Sequence, residues 1–281
     1  MISVVIPLYN KEKEIEATLQ SVLIQSYQDY EIVIVDDGSV DNSAQIVKSL
    51  NDSRIRYIYQ QNAGPSAARN HGVKEAKADW ILFLDADDRL EPDALQMFED
   101  LKNKNPKISI FSANFYLETD GKKELLSQKS MEGIVPNNFL AWSNYDMILC
   151  AGSVMYKKAL LQSVSFREDL RRYEDAEMQF QLMRGYKIYH THRPSVTYNL
   201  GSASASKGRP TIKEDFVGYI APRGKSFWEK MVLYRMYEEA HTLYPEEFHS
   251  TYPKNPSSKT FMLMRKIVPH LPKCIQEYSL F

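Results

Sequence analysis

Through the first hundred residues of this chain, short unbroken apolar runs alternate with segments whose apolar residues recur at helical spacing. That rhythm restricts the fold more than any other feature. Ser3 to Pro7 is the first run. Ile15, Leu19, Val22 and Leu23 then fall at i, i+4, i+7 and i+8, one face of a helix for which Asn10 is the expected N-cap. Glu31 to Val35 is a second run, followed by a helix with Ala44, Ile46, Val47 and Leu50 inward. Arg54 to Gln60 alternates as a third strand, Ser66 to Lys77 is a helix of small residues, and Trp80 to Leu84 is a fourth buried strand. Pro92 is expected in the first turn of a helix reaching about Lys102. Unbroken β-α-β-α order with continuously apolar strands predicts an α/β fold, its parallel sheet covered by helices on both faces.

Sheets of that kind bind ligands beyond the carboxyl ends of their strands. Three loops of unusual chemistry leave strands at that edge: Pro7-Leu8-Tyr9-Asn10, Asp36-Asp37-Gly38-Ser39 and Asp85-Ala86-Asp87-Asp88. The carboxylates of Asp85, Asp87 and Asp88 repel one another unless a cation neutralises them, and hard oxygen ligands select Mg²⁺ or Mn²⁺. Capping of the following helix is the plainer alternative. Asp36 and Asp37 fit either an ordinary Asp-Gly turn or a carboxylate that accepts from a nucleobase N–H or a ribose hydroxyl. Gly64 to Asn70 opens a helix with small residues that leave room for a ligand. Arg69 there is either a surface residue or a planar partner for a diphosphate.

The rhythm changes after Lys107. Ile108 to Leu117 reads as a strand, Asp120-Gly121 as a turn, Cys150 to Tyr156 as another strand and Lys157 to Ser163 as a short helix. Glu174 to Arg184 is a helix with Met178, Phe180 and Leu182 inward. Ser202 to Gly208 is a Ser/Ala/Gly-rich crossing, and helices are expected over Phe227 to Leu243 and Phe261 to Val268.

Composition narrows the class further. A net charge of −1 over 281 residues gives no field to recruit nucleic acid. Two cysteines exclude a disulfide scaffold and a Cys-rich zinc module, and suit a reducing compartment. The first residues lack a signal-peptide pattern, and no run reaches the roughly 18 apolar residues of a membrane span. A protein made and kept in the cytoplasm is therefore expected. The apolar and basic stretch Phe261 to Val268, with Lys254, Lys259 and Lys273 around it, fits either a helix packed on the domain or an amphipathic segment resting on the inner membrane.

Four segments together, Pro7-Leu8-Tyr9-Asn10, Val35-Asp36-Asp37-Gly38-Ser39-x-Asp41, Asn62-x-Gly64-Pro65-Ser66-x-x-Arg69-Asn70 and Leu84-Asp85-Ala86-Asp87-Asp88, resemble the family 2 glycosyltransferases of GT-A fold. The likeness is dense over the first hundred residues and thinner to about residue 205. It implies a catalytic domain over 1–205, divided into a nucleotide-sugar half (1–105) and an acceptor half (106–205), with a helical extension over 206–281. It also implies an inverting transfer from a nucleotide sugar, with Mn²⁺ or Mg²⁺ as cofactor, to a glycan or lipid-linked glycan of a bacterial surface polysaccharide. By the same resemblance Pro7 and Tyr9 line the nucleobase pocket, Asp37 accepts from uracil N3 beside Asp36, and Arg69 lies nearby. Asp85, Ala86 and Asp87 form the Asp-x-Asp element that meets ribose and metal, with Asp88 able to share the metal. Glu174-Asp175 resembles the acidic pair whose Asp is the base, with Asp169 as the second candidate. Cys150-Ala151-Gly152-Ser153 resembles the acceptor-side loop. Many relatives carry a downstream His that completes the site, whereas Tyr198-Asn199-Leu200-Gly201-Ser202 has none. His190 and His192 just before it read as structural strand residues. A phosphotransferase with an Asp nucleophile would place its Asp-x-Asp after the first strand, and a nucleotidyltransferase would want a Gly- and basic-rich loop there. A nucleotide-sugar sensor would have no use for Asp175.

Overall fold

The structure is a computed structural model and describes residues 1–201, 211–219 and 225–244. Four strands, β1 (Ile2–Leu8), β2 (Tyr30–Asp36), β3 (Ile55–Tyr59) and β4 (Trp80–Phe83), alternate with α1 (Ile15–Leu23), α2 (Ser43–Ser49) and α3 (Pro65–Glu75). A two-residue strand, β5 (Arg89–Leu90), precedes α4 (Ala94–Lys104). The second half holds β6 (Ile110–Thr119), β7 (Lys122–Leu125), β8 (Gly133–Ile134), α5 (Asn138–Ser143), β9 (Val154–Lys157), α6 (Lys158–Ser163), α7 (Glu174–Gly185) and β10 (Tyr189–Asn199). The last described helix is α8 (Phe227–Leu243).

One sheet runs in the order β3-β2-β1-β4-β9-β6-β10-β5, with β7 beside β6 and β8 beside β10. The first four strands pair in parallel, as their continuous apolar runs require, and β2 is buried at every position. From β4 onward the sheet becomes mixed: β9 is antiparallel to both β4 and β6, and β10 is parallel to β6. The change of direction sets the end of β4 beside the turn that enters β9.

Five local expectations are corrected. Asn10 does not cap α1, which begins at Ile15 after Glu14. Asn10 takes a left-handed φ of 51°, and its side chain accepts from Val40 N at 2.9 Å. Cys150 to Ser153 is a turn rather than the start of β9, because Gly152 has φ +76° and the Ser153 hydroxyl binds both the backbone N–H and C=O of Cys150. Ile108 and Ser109 precede β6, and Pro92 lies one residue before the N-cap Asp93 instead of inside α4. On α2 only Ser43 and Val47 are buried. Ala44, Ile46 and Leu50 are half-buried at the margin.

The chain divides into two compact units. One comprises Met1–Asp169 with Glu174–Ala205, and the other Leu170–Tyr173 with the described parts of Ser206–Phe281. In the second, Arg172 pairs at 2.6 Å with the fully buried Asp215, and α8 buries Leu233, Met236 and Tyr237. The crossing at 202–208 and the helix expected over 261–268 lie outside the described residues. Among the described residues no helix is long and apolar enough to cross a membrane.

In the first unit α3 lies directly on β1. A Cβ on Gly72 would come 2.2 Å from Val5 Cγ1, in a part of the core where Val5 has no exposure. Gly72→Ala is expected to cost about 1–3 kcal/mol by overpacking, read as a lower urea midpoint at unchanged m-value.

Candidate active site

The first two loops at the carboxyl edge are stitched together backbone to side chain. Asn10 N donates to Ser39 Oγ at 3.0 Å, Lys11 N to Ser43 Oγ at 2.8 Å and Glu12 N to Asp41 Oδ2 at 3.0 Å. Glu12 in return accepts from Asn42 N at 3.0 Å. Asp36 and Asp37 are both buried. Asp36 accepts from Ser39 N at 2.8 Å and from the Tyr57 hydroxyl at 2.5 Å. Asp37 Oδ1 accepts from Gln60 Nε2 and Ala63 N, and Oδ2 from Gly64 N at 2.8 Å. Asp37 thus holds the loop that leads into α3, and Asp36 ties its own turn to β3. Pro7 is half-buried at the end of β1, and Tyr9 is exposed beyond it.

Arg69 is the hub of the third loop. It projects from α3, is 8% exposed, and divides its guanidinium between Asp85 Oδ1 at 2.8 Å and Glu174 Oε1 at 3.0 Å. The Phe166 ring lies 5.5 Å away and supports the guanidinium by a cation–π contact. Two buried-side carboxylates more than offset the burial that would discourage its charge, so its affinity for its proton rises. The loop after β4 and the start of α7, 89 residues apart in sequence, thus share one cation.

The remaining acids of the loop are fixed differently. Asp87 Oδ2 meets Lys11 Nζ at 2.6 Å, a partner supplied by the first loop. Ala86 is buried, and its carbonyl accepts from Thr18 Oγ1 at 2.9 Å. Asp88 is buried. Its Oδ1 accepts from Asn199 N at 2.9 Å, and its Oδ2 has no hydrogen-bond partner. Burial, then the charges of Asp85 and Asp87, hold its carboxyl well above the ordinary range. An orphaned buried carboxylate oxygen within a row of hard oxygen donors is chemically suited to a divalent cation. Among the described residues, no group of three or more His, Cys, Asp and Glu side chains is already gathered to hold a metal.

Asp175 stands at the start of α7, half-buried, with Oδ1 accepting from Ala176 N at 2.7 Å. It lines a narrow pocket together with Arg69, Cys150, Tyr156, Phe166 and Gln179. Burial and the Glu174 charge push its carboxyl up to about 6, against the opposing pull of Arg69. The second candidate, Asp169, is exposed and bound by Arg167, which holds it below its usual value. Gly152 fixes the neighbouring turn. Its N–H donates to Phe83 O at 2.5 Å, its carbonyl accepts from Ser195 Oγ at 2.7 Å, and a Cβ there would meet Val196 Cγ2 at 2.6 Å. The segment without the downstream His places Tyr198 near the acids. Burial, then Asp85 and Asp88, raise its phenol well above the usual value. His190 is buried against Ser112 Oγ at 2.9 Å and pushed down to about 4, and His192 is exposed beside Glu132, so both belong to the strand.

Sequence reasoning missed Lys11 as the cation of Asp87 and Glu174 as the second anchor of Arg69; neither pair leaves a local signal, because its members lie 76 and 105 residues apart.

The chain belongs to glycosyl transferase family 2, whose sequence model matches residues 3–164. Its fold is GT-A. The crystal structure of Staphylococcus aureus TarS 1–349 in complex with UDP is similar at TM-score 0.61 and 24% identity, over 71% of this chain and 60% of that one. A Campylobacter jejuni GalNAc(5)-diNAcBac-PP-undecaprenol β-1,3-glucosyltransferase is 28% identical, over 78% of this chain and 72% of its own length. An uncharacterized glycosyltransferase of Rickettsia felis is 34% identical over 62% of this chain, which spans only 29% of that protein.

The raised Asp175 carboxyl carries a stability consequence. The folded chain binds this proton more tightly than the unfolded one, so the group disfavours folding as pH climbs from 3.8 through about 6. Asp175→Asn is expected to be more stable than the parent by about 1–2 kcal/mol at pH 8, with the gain gone at pH 4, measured by urea unfolding across that range.

Proposed function

We propose that the protein is an inverting glycosyltransferase. It moves a sugar from a nucleoside diphosphate donor, a UDP-sugar, to a glycan or lipid-linked glycan acceptor during assembly of a bacterial surface polysaccharide. The observation that carries this reading is the position of Asp175, poised near neutrality in a pocket whose wall includes Arg69, the partner of Asp85. The lipid-linked substrate in the name of the Campylobacter relative, and the UDP held by the TarS structure, support the acceptor and donor classes.

In this reading residues 1–205 carry catalysis. Pro7 and Tyr9 border the base. Asp37 receives uracil N3–H on Oδ2, which accepts one bond from Gly64 and retains capacity for another. Asp85 and Ala86 face the ribose and diphosphate. Asp87 and Asp88, with Asp85 beside them, hold Mn²⁺ or Mg²⁺, which when bound neutralises charge on the departing diphosphate. Lys11 keeps Asp87 oriented until then.

Asp175 takes the proton from an acceptor hydroxyl as that oxygen bonds to the anomeric carbon. The bond from that carbon to the diphosphate breaks on the opposite face, so configuration inverts and no covalent enzyme intermediate forms. Arg69 holds Asp85 and Glu174 in fixed relation, which keeps the donor end and the base in register. A carboxyl near 6 is ionised at neutral pH yet basic enough to accept the proton.

Activity is expected to fall about tenfold per pH unit below about 6, because the protonated carboxyl is no base. Asp175→Asn should lose about 10²–10⁴-fold in transfer while still binding UDP, measured by UDP release and by UDP titration. Near-normal transfer by Asp175→Asn alongside an inactive Asp87→Asn would place the base elsewhere. Chelation should abolish turnover, and added Mn²⁺ or Mg²⁺ should restore it.

A further inference from the structure

Tyr198 brings a hydrogen-bond donor to the acids of the third loop without being bound to any of them. It lies near the end of β10, where Val196 and Thr197 pair antiparallel with Leu90 and Arg89 of β5. The pairing continues into the loop, because Asn199 N donates to Asp88 Oδ1 at 2.9 Å. Successive side chains of a strand point to opposite faces. Thr197 turns to one face, where its hydroxyl donates to Glu91 at 2.6 Å. Val196 turns to the other, against the turn at Gly152, and Tyr198 shares that face. The ring therefore stands between that turn and the loop of Asp85, Asp87 and Asp88. Tyr198 is half-buried. Among the described residues its hydroxyl has no hydrogen-bond partner, yet the oxygen is not shut away from solvent.

The surroundings state which acceptor this donor suits. Burial, then the neighbouring acids, keep the proton on the phenol, so Tyr198 offers an O–H that carries no charge. Arg69 is already divided between Asp85 and Glu174, and Lys11 is engaged with Asp87. A sugar hydroxyl can both give and accept, so the carboxylates themselves can satisfy it. A phosphoryl oxygen only accepts. The acids repel it, and it needs a donor at the place where Tyr198 supplies one. An O–H that donates to an anionic oxygen makes a short, charge-assisted bond. We infer that Tyr198 is a diphosphate-binding residue, its hydroxyl donating a hydrogen bond to a phosphoryl oxygen of the nucleoside diphosphate donor. The proton stays on the phenol throughout, and the bond strengthens as the departing diphosphate gathers charge. The inference rests on the reading of this cleft as a sugar-transfer site.

The test titrates the full chain and its Tyr198→Phe variant, with Mg²⁺ present, against uridine and UDP. The hydroxyl has no protein partner to lose, so the variant should unfold at the same urea concentration as the parent. Loss of one hydrogen bond to a charged group should weaken UDP about 10- to 100-fold and leave uridine within about twofold. Phosphorus NMR of bound UDP gives a second reading: a phosphorus resonance should move between parent and variant. UDP affinity unchanged in Tyr198→Phe, or a loss shared equally by uridine, would overturn the inference and leave the transferase reading intact. If UDP fails to bind the parent, the transferase reading itself falls.

Discussion

One guanidinium holds the two halves of the cleft together. Arg69 is buried, and a buried cation is tolerated only when carboxylates of good geometry surround it. It has two, Asp85 from the loop after β4 and Glu174 from the first turn of α7. A lysine could not span both, because a planar guanidinium offers separate donors in fixed directions and an ammonium is a point charge. The pairing also explains why acidic residues begin α7. The helix N-terminus favours them electrostatically, and here one of them has a specific partner. Asp175, next in sequence, inherits its position from that anchor.

The stitched loops serve the same end more cheaply. Every strand end at the carboxyl edge would leave a mobile loop if nothing tied it down. Asn10, Lys11 and Glu12 are bound to Ser39, Ser43 and Asp41, while Asp36 and Asp37 collect the N–H groups of the loops around them. Much of what makes the aspartates of the second loop recognisable as a motif is therefore architecture. The proposed recognition of a base uses the capacity that architecture leaves.

The parallel half of the fold was legible because a buried parallel strand writes an unbroken apolar run and its helices write a 3.6-residue period. The errors share a cause. Asn10 has the right residue type for a cap, but its side chain is claimed by Val40, thirty residues away, and nothing local records that. Cys150 to Tyr156 is apolar enough for a strand, yet Gly152 bends it because β4 and β10 crowd the turn from both sides. The strand β5 and helix α5 are too short to show a period. At the site, Asp85, Asp87 and Asp88 stood out as a local cluster, whereas the Lys11–Asp87 and Arg69–Glu174 pairs depend on chain crossings of 76 and 105 residues. Spacing along the chain finds like charges together. It does not find the counter-charges that make them stable.

That distinction sharpens the case for a cation in the reading proposed here. Asp85, Asp87, Asp88, Glu174 and Asp175 crowd one cleft, and among the described residues Arg69 pairs with Asp85 and Glu174 and Lys11 with Asp87. Burial first, and then the neighbouring acids, push the carboxyls of Asp88 and Asp175 toward the neutral form. A donor diphosphate brings further negative charge to the same place, and Coulomb repulsion at a few ångströms in a partly buried cleft would oppose its entry. Lys11 cannot meet both demands, since it is engaged with Asp87. A divalent ion held by Asp87 and Asp88 would resolve the conflict, neutralising ligand and acids together and giving the orphaned Asp88 oxygen a partner. Acids that are not gathered in advance would then suit an ion that enters already bound to the diphosphate.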